Sequence, residues 1–104
     1  MDARTPYRAV RQAGLLVVVT APFAALLAVA GDSPYWLDSA EFVGAAFLLQ
    51  PSHPPGHPLY VLLGHAASLL PIGTVAFRLA LFSATCLAGA LAATYTTAVD
   101  LIER

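Results

Sequence analysis

Two long runs without a charged side chain leave this chain few ways to fold. The first extends from Gln12 to Ala30, with AGLLVVVTAPFAALLAVA at its heart, and the second is Leu79 to Val99, LALFSATCLAGALAATYTTAV. At about 1.5 Å per residue each reaches roughly 27 Å or more, close to the thickness of a bilayer's hydrocarbon core. A backbone crossing lipid must satisfy its own polar groups, so both runs read as transmembrane helices, 12–30 and 79–99. Pro22 should kink the first, which a membrane helix tolerates. Hydrophobic residues make up 59% of the chain and charged residues 11%; the mean hydropathy is +0.74. A soluble domain this small would need much more polar surface. The net charge of −1 gives no reason to expect a nucleic-acid partner. The lone Cys86, inside the second run, excludes a disulfide framework and reads as a small buried packing residue.

Arg4, Arg8 and Arg11 precede the first span, and no basic residue follows until Arg78. The positive-inside rule then places the N-terminus in the cytoplasm, and a bacterial inner (plasma) membrane is the expected location. Ala28-Val29-Ala30 before Gly31 also resembles a signal-peptidase site. The length of the apolar core and the continuing hydrophobicity favour an uncleaved helix. In the second span Ala84, Ala88 and Ala92 recur every four residues beside Gly89, a small-residue face suited to close helix packing. Thr94, Thr96 and Thr97 are placed to hydrogen-bond neighbouring helices. The plainer reading is that small residues are common in membrane helices.

Residues 31–78 form the connection. Asp38 to about Gln50 reads as a short helix ended by Pro51. Asp38 and Glu41 have the spacing of a capping box, in which both carboxylates serve backbone amides. Pro54, Pro55 and Pro58 should hold the next stretch in a stiff extended bend. Leu59 to Leu70, LYVLLGHAASLL, reaches only about 18 Å and carries Gly64, His65 and Ser68 on one side. It reads as an interfacial or re-entrant helix, with Arg78 then on the outer face and the C-terminus back in the cytoplasm. The expected fold is therefore an all-α membrane protein: two transmembrane helices joined by an outer-face loop with two short interfacial helices. The alternative makes 59–70 a third, short transmembrane helix.

That connection holds a dense island of ionisable groups, Asp38-Ser39-Ala40-Glu41-Phe42 and His53-Pro54-Pro55-Gly56-His57-Pro58-Leu59-Tyr60. Such groups are costly at membrane level and mark a candidate site. His53, His57, Asp38 and Glu41 are all metal-ligand types, so a divalent ion is one reading. The HxxxH spacing presents both imidazoles together on a helix, however, and Pro54 and Pro55 deny it that geometry. No metal or other cofactor is therefore assigned. His65, alone on an apolar helix, reads as a snorkelling or hydrogen-bonded residue.

In order and spacing, DSAEF, HPPGHPLYVLLG, LLPIG and FRLALFSATCLAGALAA resemble the opening of an integral-membrane glycosyltransferase of the C superfamily (GT-C). The likeness, over roughly Gly14 to Val99, is strongest to the prokaryotic branch related to protein O-mannosyltransferases. The usual wording there is close to DSGEF and HPPGYPLY, from which Ala40 and His57 depart without removing a carboxylate. The resemblance implies transfer of a sugar, mannose being one candidate, from a polyprenyl-phosphate carrier to an acceptor on the outer membrane face. It casts Asp38 as base or acceptor-orienting group with Glu41 as companion. His53 and Arg78 would meet the carrier phosphate, and His57 and Tyr60 become substrate-site candidates. The chemistry fits: the acceptor needs a base, the leaving phosphate needs donors, and arginine grips phosphate well. Two spans cannot enclose both substrates, so the chain reads as the N-terminal part of a larger enzyme, inactive alone. Its partners would be the bilayer, the lipid-linked sugar, and further C-terminal helices or a partner membrane chain. A small non-catalytic membrane protein that packs against partner helices is the alternative.

Overall fold

The structure, a computed structural model, describes residues 4–32 and 38–104. Those residues form four helices and no strand: α1 Arg4–Val29, α2 Ser39–Leu48, α3 Pro58–Ser68 and α4 Val75–Ile102. The helices α1 and α4 are long and apolar enough to cross a membrane, whereas α2 and α3, between them, are too short. The expected all-α architecture is observed, with spans that outrun the charge-free runs. α1 begins before Gln12 and continues through Pro22; α4 begins four residues before Leu79 and ends at Ile102.

The chain divides into two compact units. One comprises Met1–Ala28 with Ala84–Arg104, the other Val29–Ser83. In the first, α1 and the C-terminal part of α4 run antiparallel. Tyr7 donates its hydroxyl hydrogen to Glu103, the Arg11 guanidinium meets Asp100 at 2.7 Å, and Tyr95 Oη donates to the Arg11 carbonyl at 3.2 Å. Gly14 makes this approach possible, because a Cβ there would overlap the Tyr95 hydroxyl. One expectation for α4 fails here: Cys86 is exposed, not buried. Thr94 and Thr96 donate to carbonyls one turn back on their own helix, Ala90 at 2.8 Å and Ala92 at 2.9 Å, and each hydroxyl keeps lone pairs that accept from a neighbouring helix.

In the second unit α2 and α3 pack against each other and against the start of α4. The buried face of α3 is Val61, Gly64 and Ser68, at helical spacing, with His65 half-buried beside them. Leu59, Leu62, Leu63, Leu69 and Leu70 are exposed. α2 likewise buries Ala45 and Ala46 and exposes Phe47 and Leu48. Small and polar residues face inward and large apolar ones outward, which suits a lipid surround, where burying leucine gains little and close backbone approach gains more. Gly64 is the crossing point: a Cβ there would lie 3.0 Å from both Ala46 Cβ and Leu79 Cδ2. His65 ties the helices polarly, its Nδ1 lying 3.0 Å from the Ala46 carbonyl.

Gly64→Val should therefore destabilise the chain by about 1–3 kcal/mol, as overpacking does. Gly89→Val, where an added Cβ meets nothing within 4 Å, should be close to neutral. Unfolding of both variants in detergent, followed by far-UV circular dichroism, checks this; equal behaviour would remove Gly64 from the packing argument.

Candidate functional site

The site forms where the start of α2 meets the His53–Pro58 turn. Asp38 stands just before α2 in helical backbone, φ −74° and ψ −9°, and its carbonyl accepts from Phe42 N at 2.9 Å. Its carboxylate makes no capping hydrogen bond. The expected capping box is therefore absent, because a residue already in helical conformation does not present its side chain to the amides of the first turn. Glu41 turns outward instead. One carboxylate oxygen accepts the backbone N–H of His53, and the other lies 3.1 Å from His53 Nδ1. These two contacts, the backbone one foremost, hold the Glu41 carboxyl below the usual carboxylate range.

The proline run is a tight turn, not the extended bend expected. Gly56 N donates to the His53 carbonyl at 2.8 Å, the Pro54–Pro55 bond is cis, and Gly56 has φ +91°. The hydrogen bond from Gly56 to His53 closes a turn that reverses the chain within four residues. His57 follows in left-handed conformation, φ 41°, and precedes Pro58, the first residue of α3. The turn thus places the His53 and His57 rings 6.0 Å apart, centroid to centroid.

Phe42 is the hub. Its ring meets His53 at 5.5 Å, His57 at 5.2 Å and Tyr60 at 5.5 Å, each edge-to-face. Tyr60 also leans on Phe82 of α4, 6.0 Å away. Aromatic pairs in this arrangement add about 0.5–1.5 kcal/mol each beyond simple burial. From the sequence Phe42 reads only as apolar surface that beds α2 into the membrane, and Phe82 has no role. The one available signal was the place of Phe42, one turn after Asp38 and next to Glu41.

Asp38, Glu41 and His53 converge, each offering a ligand-type atom within 4.8 Å of the others, all exposed. His57 and Tyr60 join them through Phe42. Arg78 does not. Its Nη1 donates to the Ser68 carbonyl at 2.6 Å, its Nε to Ile72 at 2.6 Å and its Nη2 to Gly73 at 2.9 Å. It closes the C-terminal end of α3, where unpaired carbonyls and the helix dipole both favour a cation. Eleven residues of α3 separate that end from His57, about 16 Å along the axis.

The trio could receive a divalent ion, since carboxylate oxygen and imidazole nitrogen suit several such metals. Each Glu41 oxygen makes one contact to His53 and keeps a further lone pair.

Residues 38–104 match the family described as Protein O-mannosyl-transferase TMEM260 N-terminal domain. The chain belongs to this family. The match begins at Asp38 and takes in the whole of the site, α3 and α4. Among curated relatives, the mouse (Mus musculus) protein named Protein O-mannosyl-transferase TMEM260 is 46% identical over 57 residues. That alignment covers 54% of this chain and 8% of the mouse protein. No solved structure matches the chain.

The Glu41 contact carries a pH sign. A carboxyl whose folded value is lowered stabilises the fold above its ordinary value, 4.5, and loses that contribution as pH falls through the lower folded value. A ¹³C titration should therefore place the Glu41 midpoint below 4.5. His53→Ala should return it only part of the way, because the backbone N–H remains. A full return would show that the imidazole alone lowers it.

Proposed function

We propose that the chain is the N-terminal portion of a GT-C glycosyltransferase. In this reading it moves a sugar, with mannose the leading candidate, from a polyprenyl-phosphate donor to an acceptor on the outer membrane face, and is inactive alone. The observation that carries the reading is the coincidence of the family match with the convergence of Asp38, Glu41 and His53. The mouse relative's name supports mannose. The wording of DSAEF and HPPGHPLY supports the prokaryotic branch, and so a bacterial inner membrane.

Asp38 is the proposed base, taking the proton of the acceptor hydroxyl as it attacks the sugar's anomeric carbon. The bond from that carbon to the phosphate oxygen breaks and the phosphate carries away the electron pair, with inversion. The Asp38 carboxylate is exposed and not spent on a cap. Glu41 and His53 stand beside it, and His57 and Tyr60 border the substrate site. About 16 Å of α3 lies between the turn at His57 and the end that Arg78 closes. His53 is assigned to the reacting centre. Arg78, with two of its five N–H groups beyond its three carbonyl bonds, is assigned to the carrier's approach.

Topology supplies the first test. With the N-terminus cytoplasmic and 31–78 outside, Tyr35→Cys and Thr74→Cys, each in a Cys86→Ser background, should both react with an impermeant thiol reagent from the outer face. Labelling of position 74 from the cytoplasm alone would remove Arg78 from the donor side.

Activity supplies the second. In this chain joined to the further helices that the reading requires, Asp38→Asn should leave α2 intact, since Asp38 makes no capping bond there. Transfer from a polyprenyl-phosphate sugar should fall by about 10²–10⁴-fold, the usual worth of a general base. Full activity of that variant, or turnover by residues 1–104 alone, would refute the assignment.

A further inference from the structure

We infer that Glu41 acts as a positioning residue, fixing the His53 imidazole with its proton on Nδ1 so that Nε2 is the nitrogen presented to the substrate; this deepens the reading of the site as a transfer centre and rests on it. The argument begins with hydrogen-bond chemistry. An ionised carboxylate has no hydrogen to donate, so the 3.1 Å contact between Glu41 Oε2 and His53 Nδ1 requires the proton on Nδ1. A neutral imidazole then carries its lone pair on Nε2, and which nitrogen is reactive is decided by the partner of the other. The same carboxylate also holds the backbone N–H of His53 through Oε1. Side chain and main chain of one residue are thus fixed by one group, which removes the freedom of the ring to turn.

The surroundings restrict the ring further. Phe42 lies edge-to-face against His53 at 5.5 Å, and His57 closes another side at 6.0 Å. The Asp38 carboxylate lies within 4.8 Å of the same group. An acceptor hydroxyl entering there meets two different bases, a carboxylate and an imidazole nitrogen of defined protonation. Asp38 and His53 would touch the substrate; Glu41 would act through His53 alone.

His65 makes the inference testable without turnover. Its Nδ1 faces the Ala46 carbonyl at 3.0 Å, also an acceptor only, so it should carry its proton on Nδ1 too. It reports whether α2 and α3 remain packed. Long-range ¹H–¹⁵N spectra of residues 1–104 in lipid nanodiscs, at about pH 8.5 where imidazoles are ordinarily neutral, read each ring's tautomer directly. The expected result is a single Nδ1–H form for both His53 and His65. In Glu41→Ala, His53 should lose that single form while His65 keeps it. In Glu41→Gln the single amide oxygen is taken by the His53 backbone N–H, which can only donate, so the NH2 faces Nδ1 and His53 should move toward the Nε2–H form. An Nε2–H or mixed His53 in the unaltered chain overturns the inference, as does a Glu41→Ala spectrum unchanged at His53. A shift of His53 on adding Mn²⁺ or Mg²⁺, with release from Glu41, overturns it in favour of a metal site. If the spectra come out as expected and Glu41→Ala in the chain joined to the further helices that the transfer reading requires still transfers sugar at full rate, the tautomer assignment stands and the transfer-centre reading fails.

Discussion

Backbone carbonyls that cannot be left bare near lipid dictate how this chain spends its few polar side chains. Water is not available there to satisfy a helix end or a close helix crossing, and each unpaired group costs several kcal/mol. Arg78 gives three nitrogens to the carbonyls of Ser68, Ile72 and Gly73. His65 serves Ala46, Ser68 serves His65, and Tyr95 serves Arg11. Thr20, Thr94 and Thr96 serve carbonyls one turn back on their own helices. In a chain with so few polar groups this leaves a small remainder, and Asp38, Glu41, His53 and His57 belong to it. Their grouping at one turn is the reason to read that turn as a site.

The same economy explains why the packing looks reversed beside a water-soluble domain. The inward residues of α2 and α3 are alanine, glycine, serine and a single valine, while leucines point out. Close approach through Gly64 brings three helices together without bulk, and it is this tight unit that carries the Glu41–His53 contact. Precision at the site therefore derives from small residues some distance from it.

Much of this was legible in the residues. The spans announced themselves because absence of charge over some twenty positions matches the thickness of a bilayer core, and the carboxylates and first histidine were grouped by motif. The shortness of α3 followed from counting to Pro71. What stayed hidden depended on atoms that sequence does not order. The spacing of Asp38 and Glu41 fits a capping box, and only the helical backbone at Asp38 shows that none forms. Arg78 at the mouth of a span was read for its charge alone, and its three carbonyl partners at the end of α3 are visible only in the structure. Pro54 and Pro55 promised stiffness but not a reversal, and so concealed how near His57 comes to His53. Cys86 was assigned by its apolar neighbourhood, which does not say which side of α4 it occupies.

The left-handed backbone at His57 bears on which sequences this turn can tolerate. Position 57 must satisfy two demands at once: a conformation most side chains avoid, and a flat ring to lie against Phe42. Asparagine and aspartate meet the first and lack the ring. Phenylalanine and tyrosine offer the ring and bear the conformational cost. Histidine is among the residues enriched at positive φ and is aromatic as well. Exchange between histidine and a larger aromatic at this position is therefore a trade between backbone ease and ring contact. Drift at residue 57 should be confined to planar rings even while neighbouring lipid-facing positions such as Leu59 vary freely among apolar types.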